Sequence, residues 1–208
     1  MIKNIIFDFG GVIADLEYDR AVKGFTELGV KNADSFLGKY HQTGFFQDLE
    51  EGKIGESEFT EKLSELCGRK LNREEIEKAC TSYFPAVNTQ KLDILEVLRE
   101  NYHLYVLSNT NPYVISWACS ERFSVLKKPL NEYFDKMFLS YQIGSTKPNE
   151  KIFRAAIKEG KLNPDETLFI DDGPSNIEAA KKIGLKTLLV DSTEDWRRRL
   201  IEFLNSNN

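Results

Sequence analysis

At 208 residues the chain is long enough for one α/β core with a small insertion and short for two independent domains. Hydrophobic residues at 41% and charged residues at 29% exclude an intrinsically disordered chain. A formal net charge of −5 argues against nucleic acid as a partner. The densest basic run, Arg197, Arg198 and Arg199, reads as the solvated face of a terminal helix. No apolar run approaches the ~20 residues that span a bilayer, so no membrane partner is expected. The cysteines Cys67, Cys80 and Cys119 are odd in number and lack C-x-x-C spacing. They fit reduced structural thiols and a cytoplasmic location.

Ile2 to Phe7 is a short apolar run that stops at Asp8-Phe9-Gly10-Gly11. A buried parallel strand has this pattern, whereas a signal peptide needs a longer apolar stretch and a small-residue cleavage site. From 17 to 87 the character changes, and helical periodicity replaces strand patterning. Phe59, Leu63 and Leu66 share one helical face within Glu56 to Leu66, as do Ile76, Ala79, Cys80 and Tyr83 within Arg73 to Phe84. Ser57 and Asn72 are the cap candidates for these helices. Phe45 and Phe46 read as core of the insertion, and His41 as a candidate for its pocket wall. Strand patterns return at His103 to Leu107, more weakly at Lys136 to Ser140, then at Thr167 to Ile170 and Lys186 to Val190. His103 reads as a structural residue opening its strand. Helical patterns lie between them, at Lys91 to Arg99, Glu150 to Glu159, Ser175 to Ile183 and Glu194 to Leu204. The alternation predicts a three-layer α/β/α core with a parallel sheet, built from 1–16 and 88–208 and interrupted by a helical unit over 17–87.

Parallel sheets bind ligands beyond the carboxyl ends of their strands. Here those ends carry Asp8, Ser108-Asn109-Thr110-Asn111 and Asp171-Asp172-Gly173. Carboxylates gathered at neighbouring strand ends repel one another unless a cation neutralises them. Hard oxygen donors of this kind suit Mg²⁺.

The order of these segments is similar to that of the haloacid dehalogenase superfamily. Asp8-Phe9-Gly10-Gly11-Val12-Ile13 resembles its first motif, and Ser108 stands where the second has Ser or Thr. Lys147-Pro148 resembles the third, and Asp171-Asp172-Gly173-Pro174-Ser175-Asn176 the fourth. The resemblance spans essentially the whole chain. It implies a Rossmannoid core with a C1 cap and a Mg²⁺-dependent hydrolysis of phosphate monoesters. Further similarity lies in Gly10, Ser108 to Asn111, Leu139 to Gly144 and Glu50 to Ile54. These segments look like those of bacterial α-D-glucose-1-phosphate phosphatases and their relatives. The implied substrate is a small phosphorylated metabolite such as a sugar phosphate; the sequence is silent on oligomeric state.

The resemblance implies a role for each residue. Asp8 attacks phosphorus and becomes an aspartyl phosphate. Ser108, Asn109 and Lys147 hold the phosphoryl oxygens, Lys147 as a point charge. Asp8, the backbone carbonyl of Gly10, Asp171 and Asp172 surround Mg²⁺, and Asn176 orients the acidic pair. One departure matters. Many family members have a second Asp two residues after the nucleophile as general acid and base, and here Gly10 takes that place. Such help is worth roughly 10²–10⁴-fold. Asp15 is the candidate replacement, with a helix cap as its other reading. Two alternatives stand beside the phosphatase: dehalogenation, which needs no metal, and a binding module that has lost catalysis.

Overall fold

The computed structural model describes residues 1–38, 41–193 and 195–207. Five strands form one sheet: β1 (Asn4–Phe7), β2 (His103–Ser108), β3 (Lys136–Leu139), β4 (Thr167–Asp171) and β5 (Lys186–Leu189). Their order is β3-β2-β1-β4-β5, and every pairing is parallel. Phe7 lies opposite Val106 on one side and Ile170 on the other. Asp8, Ser108 and Asp171 therefore emerge at the same end of three adjacent strands.

Side-chain alternation along each strand sorts the apolar residues onto two faces. Ile5 and Phe7 join Leu104, Val106, Leu168 and Ile170 on one face, against α5 (Thr89–Leu98) and α10 (Arg197–Asn207). Ile6 joins Tyr105, Leu107 and Phe169 on the other, against α8 (Glu150–Gly160) and α9 (Pro174–Lys182). Both faces are covered, so the strands read as continuous apolar runs. The result is the α/β/α sandwich that the alternation predicts. Trp196 anchors the segment before α10, its indole N–H donating to Val12 O at 2.8 Å. Arg197 and Arg198 pair with Asp195 and Glu202 on the exposed face of α10. The expected helix start at Glu194 lies outside the described residues, and α10 begins at Arg197.

Between β1 and α5 lie α1 (Tyr18–Leu28), α2 (Gly44–Glu50), α3 (Glu56–Cys67) and α4 (Arg73–Thr81). Phe25, Phe46 and Phe59 form an edge-on aromatic stack, with centroids 5.1 Å apart at each step. This stack runs into the same apolar cluster as the Phe7 face of the sheet. Asn72 caps α4 in a capping box with Glu75, as its sequence position predicts. Ser57 does not cap α3. The helix starts one residue earlier, after Gly55, and has no side-chain cap. Leu66 leaves the apolar face expected for it and is 37% exposed. The last turn of α3 runs past the edge of the cluster, among exposed residues that end in the left-handed Gly68. His41 is exposed, Phe46 is buried and Phe45 half-buried. Two short helices, α6 (Pro112–Ala118) and α7 (Ser140–Ile143), follow β2 and β3. Among the described residues no helix is long and apolar enough to cross a membrane.

Candidate active site

The first motif is a tight turn whose hydrogen bonds explain its glycines. Ile13 N and Ala14 N both donate to Phe9 O at 2.9 Å, and Gly11 N donates to Ala14 O at 2.8 Å. Gly11 has φ +81°, and a Cβ there would sit 2.6 Å from Asp172 Oδ2. Glycine is thus needed both for its backbone angle and for the approach of the fourth motif. Gly10 differs. A Cβ built on it would lie 2.8 Å from Leu16 Cδ1, and its φ is not in the left-handed region. The space next to position 10 is filled by an apolar side chain.

Lys147 gathers the cluster. Its Nζ lies 2.7 Å from Asp8 Oδ1 and 2.7 Å from Asp171 Oδ2, and the residue is 1% exposed. Asp171 Oδ1 accepts from Gly173 N at 2.7 Å and from Asn176 Nδ2 at 2.9 Å. Both Asp171 oxygens are therefore engaged. Asp8 Oδ1 also accepts from Phe9 N at 2.7 Å. Burial, reinforced by Asp171 and Asp172 and opposed by Lys147, holds the Asp8 carboxyl well above the usual range. Burial alone would lower Lys147, but Asp171 and Asp8 outweigh it and keep the ammonium charged. One ligand atom each from Asp8, Asp171 and Asp172 lies within 4.8 Å of the others. Three carboxylates against one ammonium leave two formal negative charges. That deficit and the all-oxygen donor set fit a divalent hard cation such as Mg²⁺. The turn uses the carbonyls of Phe9 and Ala14 for its hydrogen bonds, not that of Gly10.

Asn109 sits beside this cluster as a clamp. Its Oδ1 accepts from Lys147 N at 2.7 Å and its Nδ2 donates to Lys147 O at 3.0 Å. Ser140, which the sequence reading placed only at a strand end, does the same for Thr110. Thr110 N donates to Ser140 Oγ at 3.0 Å, and that hydroxyl donates back to Thr110 O at 3.1 Å. A hydroxyl directly after an apolar strand was the available signal. Ser108 is 2% exposed and its hydroxyl donates to Asn109 O at 3.2 Å. Asp15 stands apart. Its carboxylate accepts from Lys91 Nζ at 2.6 Å, and it is not among the residues lining the cavity described next.

A cavity of about 90 Å³ opens between the strand ends and the helical insertion. Gly10, Ser108, Asn109, Thr110 and Asn111 form its floor, and Phe25, Phe46, Phe59, Tyr83 and Phe84 contribute to its walls. Glu50, at the end of α2, reaches it from above. Glu50 opens the stretch Glu50 to Ile54 that the family resemblance marked, but the sequence assigned it no role, and Leu16 carried no motif.

A family model for haloacid dehalogenase-like hydrolases matches residues 2–184. The chain belongs to this family. It is 53% identical over 206 residues to a D-ribitol-5-phosphate phosphatase of Bacteroides thetaiotaomicron, covering 99% of this chain and 100% of the relative. A solved HAD-like family hydrolase from Porphyromonas gingivalis superposes with a TM-score of 0.92 at 38% identity, covering 98% of each chain. A HAD family enzyme from B. thetaiotaomicron, solved as a variant with magnesium and inorganic phosphate, gives 0.89 at 33% identity. It covers 96% of this chain and 99% of its own.

Proposed function

We propose that this enzyme hydrolyses the phosphate monoester of a small polyol, with ribitol 5-phosphate as the leading substrate. The chain is a phosphatase and Mg²⁺ is its cofactor. The observation that carries the site assignment is Lys147 bridging Asp8 and Asp171 at the ends of adjacent strands. The substrate class is supported by the full-length relative named for ribitol 5-phosphate.

In this reading Asp8 attacks phosphorus in line with the ester oxygen and forms an aspartyl phosphate, which water then hydrolyses. Lys147 and Ser108 face the phosphoryl oxygens and offset their charge. Asn109 holds the Lys147 backbone and so positions the ammonium. Asp8, Asp172 and the Gly10 carbonyl would hold Mg²⁺. Asp171 fixes Lys147, with Asn176 and Gly173 N fixing Asp171 in turn. The ion supplies positive charge that lets an anionic nucleophile approach an anionic ester.

α-D-Glucose 1-phosphate is the second reading, from the likeness of residues 108–111 and 139–144 and from leaving-group chemistry. With Gly10 in place of an acid, an anomeric oxygen departs more readily than a primary alkoxide. The test is steady-state hydrolysis of ribitol 5-phosphate, glucose 1-phosphate and glucose 6-phosphate, with Mg²⁺ and with a chelator. The highest kcat/KM on ribitol 5-phosphate, lost on chelation, supports the first reading. Higher kcat/KM on glucose 1-phosphate favours the second, and turnover unchanged by chelation would sink both.

A further inference from the structure

The cavity above the strand ends has a composition that the reaction at Asp8 does not explain. Among its described lining residues Glu50 carries the single carboxyl, and none is Lys, Arg or His. Glu50 is 9% exposed, and among the described residues it has no hydrogen-bond or ion-pair partner. Its carboxyl oxygens are not sealed off, so a group that enters the cavity can reach them. Thr110 Oγ1 on the cavity floor is fully buried without a partner.

The position of Glu50 is set by its neighbours. Glu51 Oε1 accepts from Thr146 Oγ1 at 3.4 Å, and Thr146 immediately precedes Lys147. At Gly52 a Cβ would fall 2.1 Å from Tyr141 O, so the two backbones touch. The end of α2 is thereby pressed onto the core beside the phosphoryl site, and Glu50 lines the space next to it. Burial, with Glu51 adding to it, pushes the Glu50 carboxyl up to about 8. The other titratable groups on that side, Cys80 and Tyr83, are neutral at pH 7 by their ordinary values, and burial pushes both further up. At neutral pH this wall is uncharged, yet it can both donate and accept hydrogen bonds. Gln42 extends it, accepting a long contact of 3.4 Å from the Tyr83 hydroxyl.

We propose that Glu50 is the specificity residue of the leaving-group pocket, hydrogen-bonding a hydroxyl of an uncharged polyol in a cavity whose described lining holds no Lys, Arg or His. A leaving group that carries a carboxylate or a second phosphate meets no Lys, Arg or His among the described lining residues and is disfavoured beside Glu50. This rests on the polyol phosphatase reading and adds the residue that enforces it.

The experiment is steady-state kinetics of the Mg²⁺-loaded wild type, Glu50→Leu and Glu50→Gln. The substrates are ribitol 5-phosphate, 3-phosphoglycerate and p-nitrophenyl phosphate. Wild type is expected to favour ribitol 5-phosphate over 3-phosphoglycerate by ~100-fold or more. Glu50→Leu should lower kcat/KM on ribitol 5-phosphate by about 10–100-fold, chiefly through KM. Its p-nitrophenyl phosphate activity should stay within about threefold of wild type, since that leaving group offers no hydroxyl. Glu50→Gln keeps a donor and an acceptor and should recover most of the loss. Equal losses on ribitol 5-phosphate and p-nitrophenyl phosphate, or a Gln variant as damaged as the Leu variant, would overturn the proposal and point to proton transfer or folding. Unchanged discrimination in Glu50→Leu would overturn it too. Activity on p-nitrophenyl phosphate with none on any polyol phosphate would instead overturn the substrate reading on which it rests.

Discussion

The strand-end cluster and the cavity above it handle charge in opposite ways. At the strand ends Lys147 spans two carboxylates, and both Asp171 oxygens are engaged. In the cavity Glu50 is the single carboxyl of the described lining, with no hydrogen-bond or ion-pair partner among the described residues and no Lys, Arg or His beside it, while each region holds one buried atom without a partner, Thr110 Oγ1 and Asn176 Oδ1. A reaction centre gains from groups already fixed where charge develops, because reorganisation then costs nothing during the step. A recognition wall gains from groups left unsatisfied, because the correct ligand supplies the missing hydrogen bonds and a wrong one does not.

The largest expected effect tests the first half of that contrast. Asp8→Asn removes the nucleophile but is nearly isosteric, so turnover should fall at least ~10³-fold while the melting temperature stays near wild type. Retention of more than a few per cent of wild-type kcat would assign the chemistry elsewhere. Gly11→Ala probes the same cluster through the backbone. A methyl group there meets the Asp172 carboxylate at a φ of +81°, and a cost of ~1–3 kcal/mol with a large loss of activity is expected. Wild-type stability and rate would mean that the turn relaxes freely.

The two acidic residues of the fourth motif separate ligation from support. Asp171 is committed to Lys147, Gly173 and Asn176, whereas Asp172 abuts the first-motif turn. Calorimetric titration of Mg²⁺ should show a greater loss of affinity in Asp172→Ala than in Asp171→Ala, where a supporting role predicts roughly 10–100-fold. The reverse ranking would exchange their roles.

The prediction for the cavity has a definite sign. Glu50 titrates at about 8 when folded, against an ordinary 4.5, so the folded state binds more protons between those values. Its contribution to stability therefore declines as pH rises through that window, by up to ~1.4 kcal/mol per pH unit. Glu50→Leu removes this penalty. Thermal unfolding should show the variant gaining more over wild type at pH 8 than at pH 5. An equal difference at both pH values would place the carboxyl in contact with water.

The legible and illegible parts of this protein divide along the same line as the two regions. The central strands β1, β2 and β4 were readable as apolar runs, because a parallel strand covered on both faces has little room for polar residues, and the edge strand β3 was read more weakly. The motif residues Asp8, Ser108 and Asp171 were readable because strand ends are fixed by the topology that positions them, whereas Lys147, in the loop between α7 and α8, was readable only through the family resemblance. Asp15 was read with them and lies in an ion pair with Lys91 instead, since sequence adjacency to a turn does not say which way a side chain is drawn. Ser57 and Leu66 were misplaced because a helix terminus is decided by where neighbouring elements stop.

From the sequence alone came the α/β class, the helical insertion and the acidic strand ends, all of which follow from local periodicity and chain order. Only the tertiary structure filled the space beside Gly10 with Leu16, and only it turned Asn109 and Ser140 into backbone clamps. It alone set Glu50 into the wall of the cavity. Apart from Leu16, which follows Gly10 closely in the chain, each of these is a contact between distant segments. Such contacts depend on how two elements pack, and no local pattern of residues encodes that.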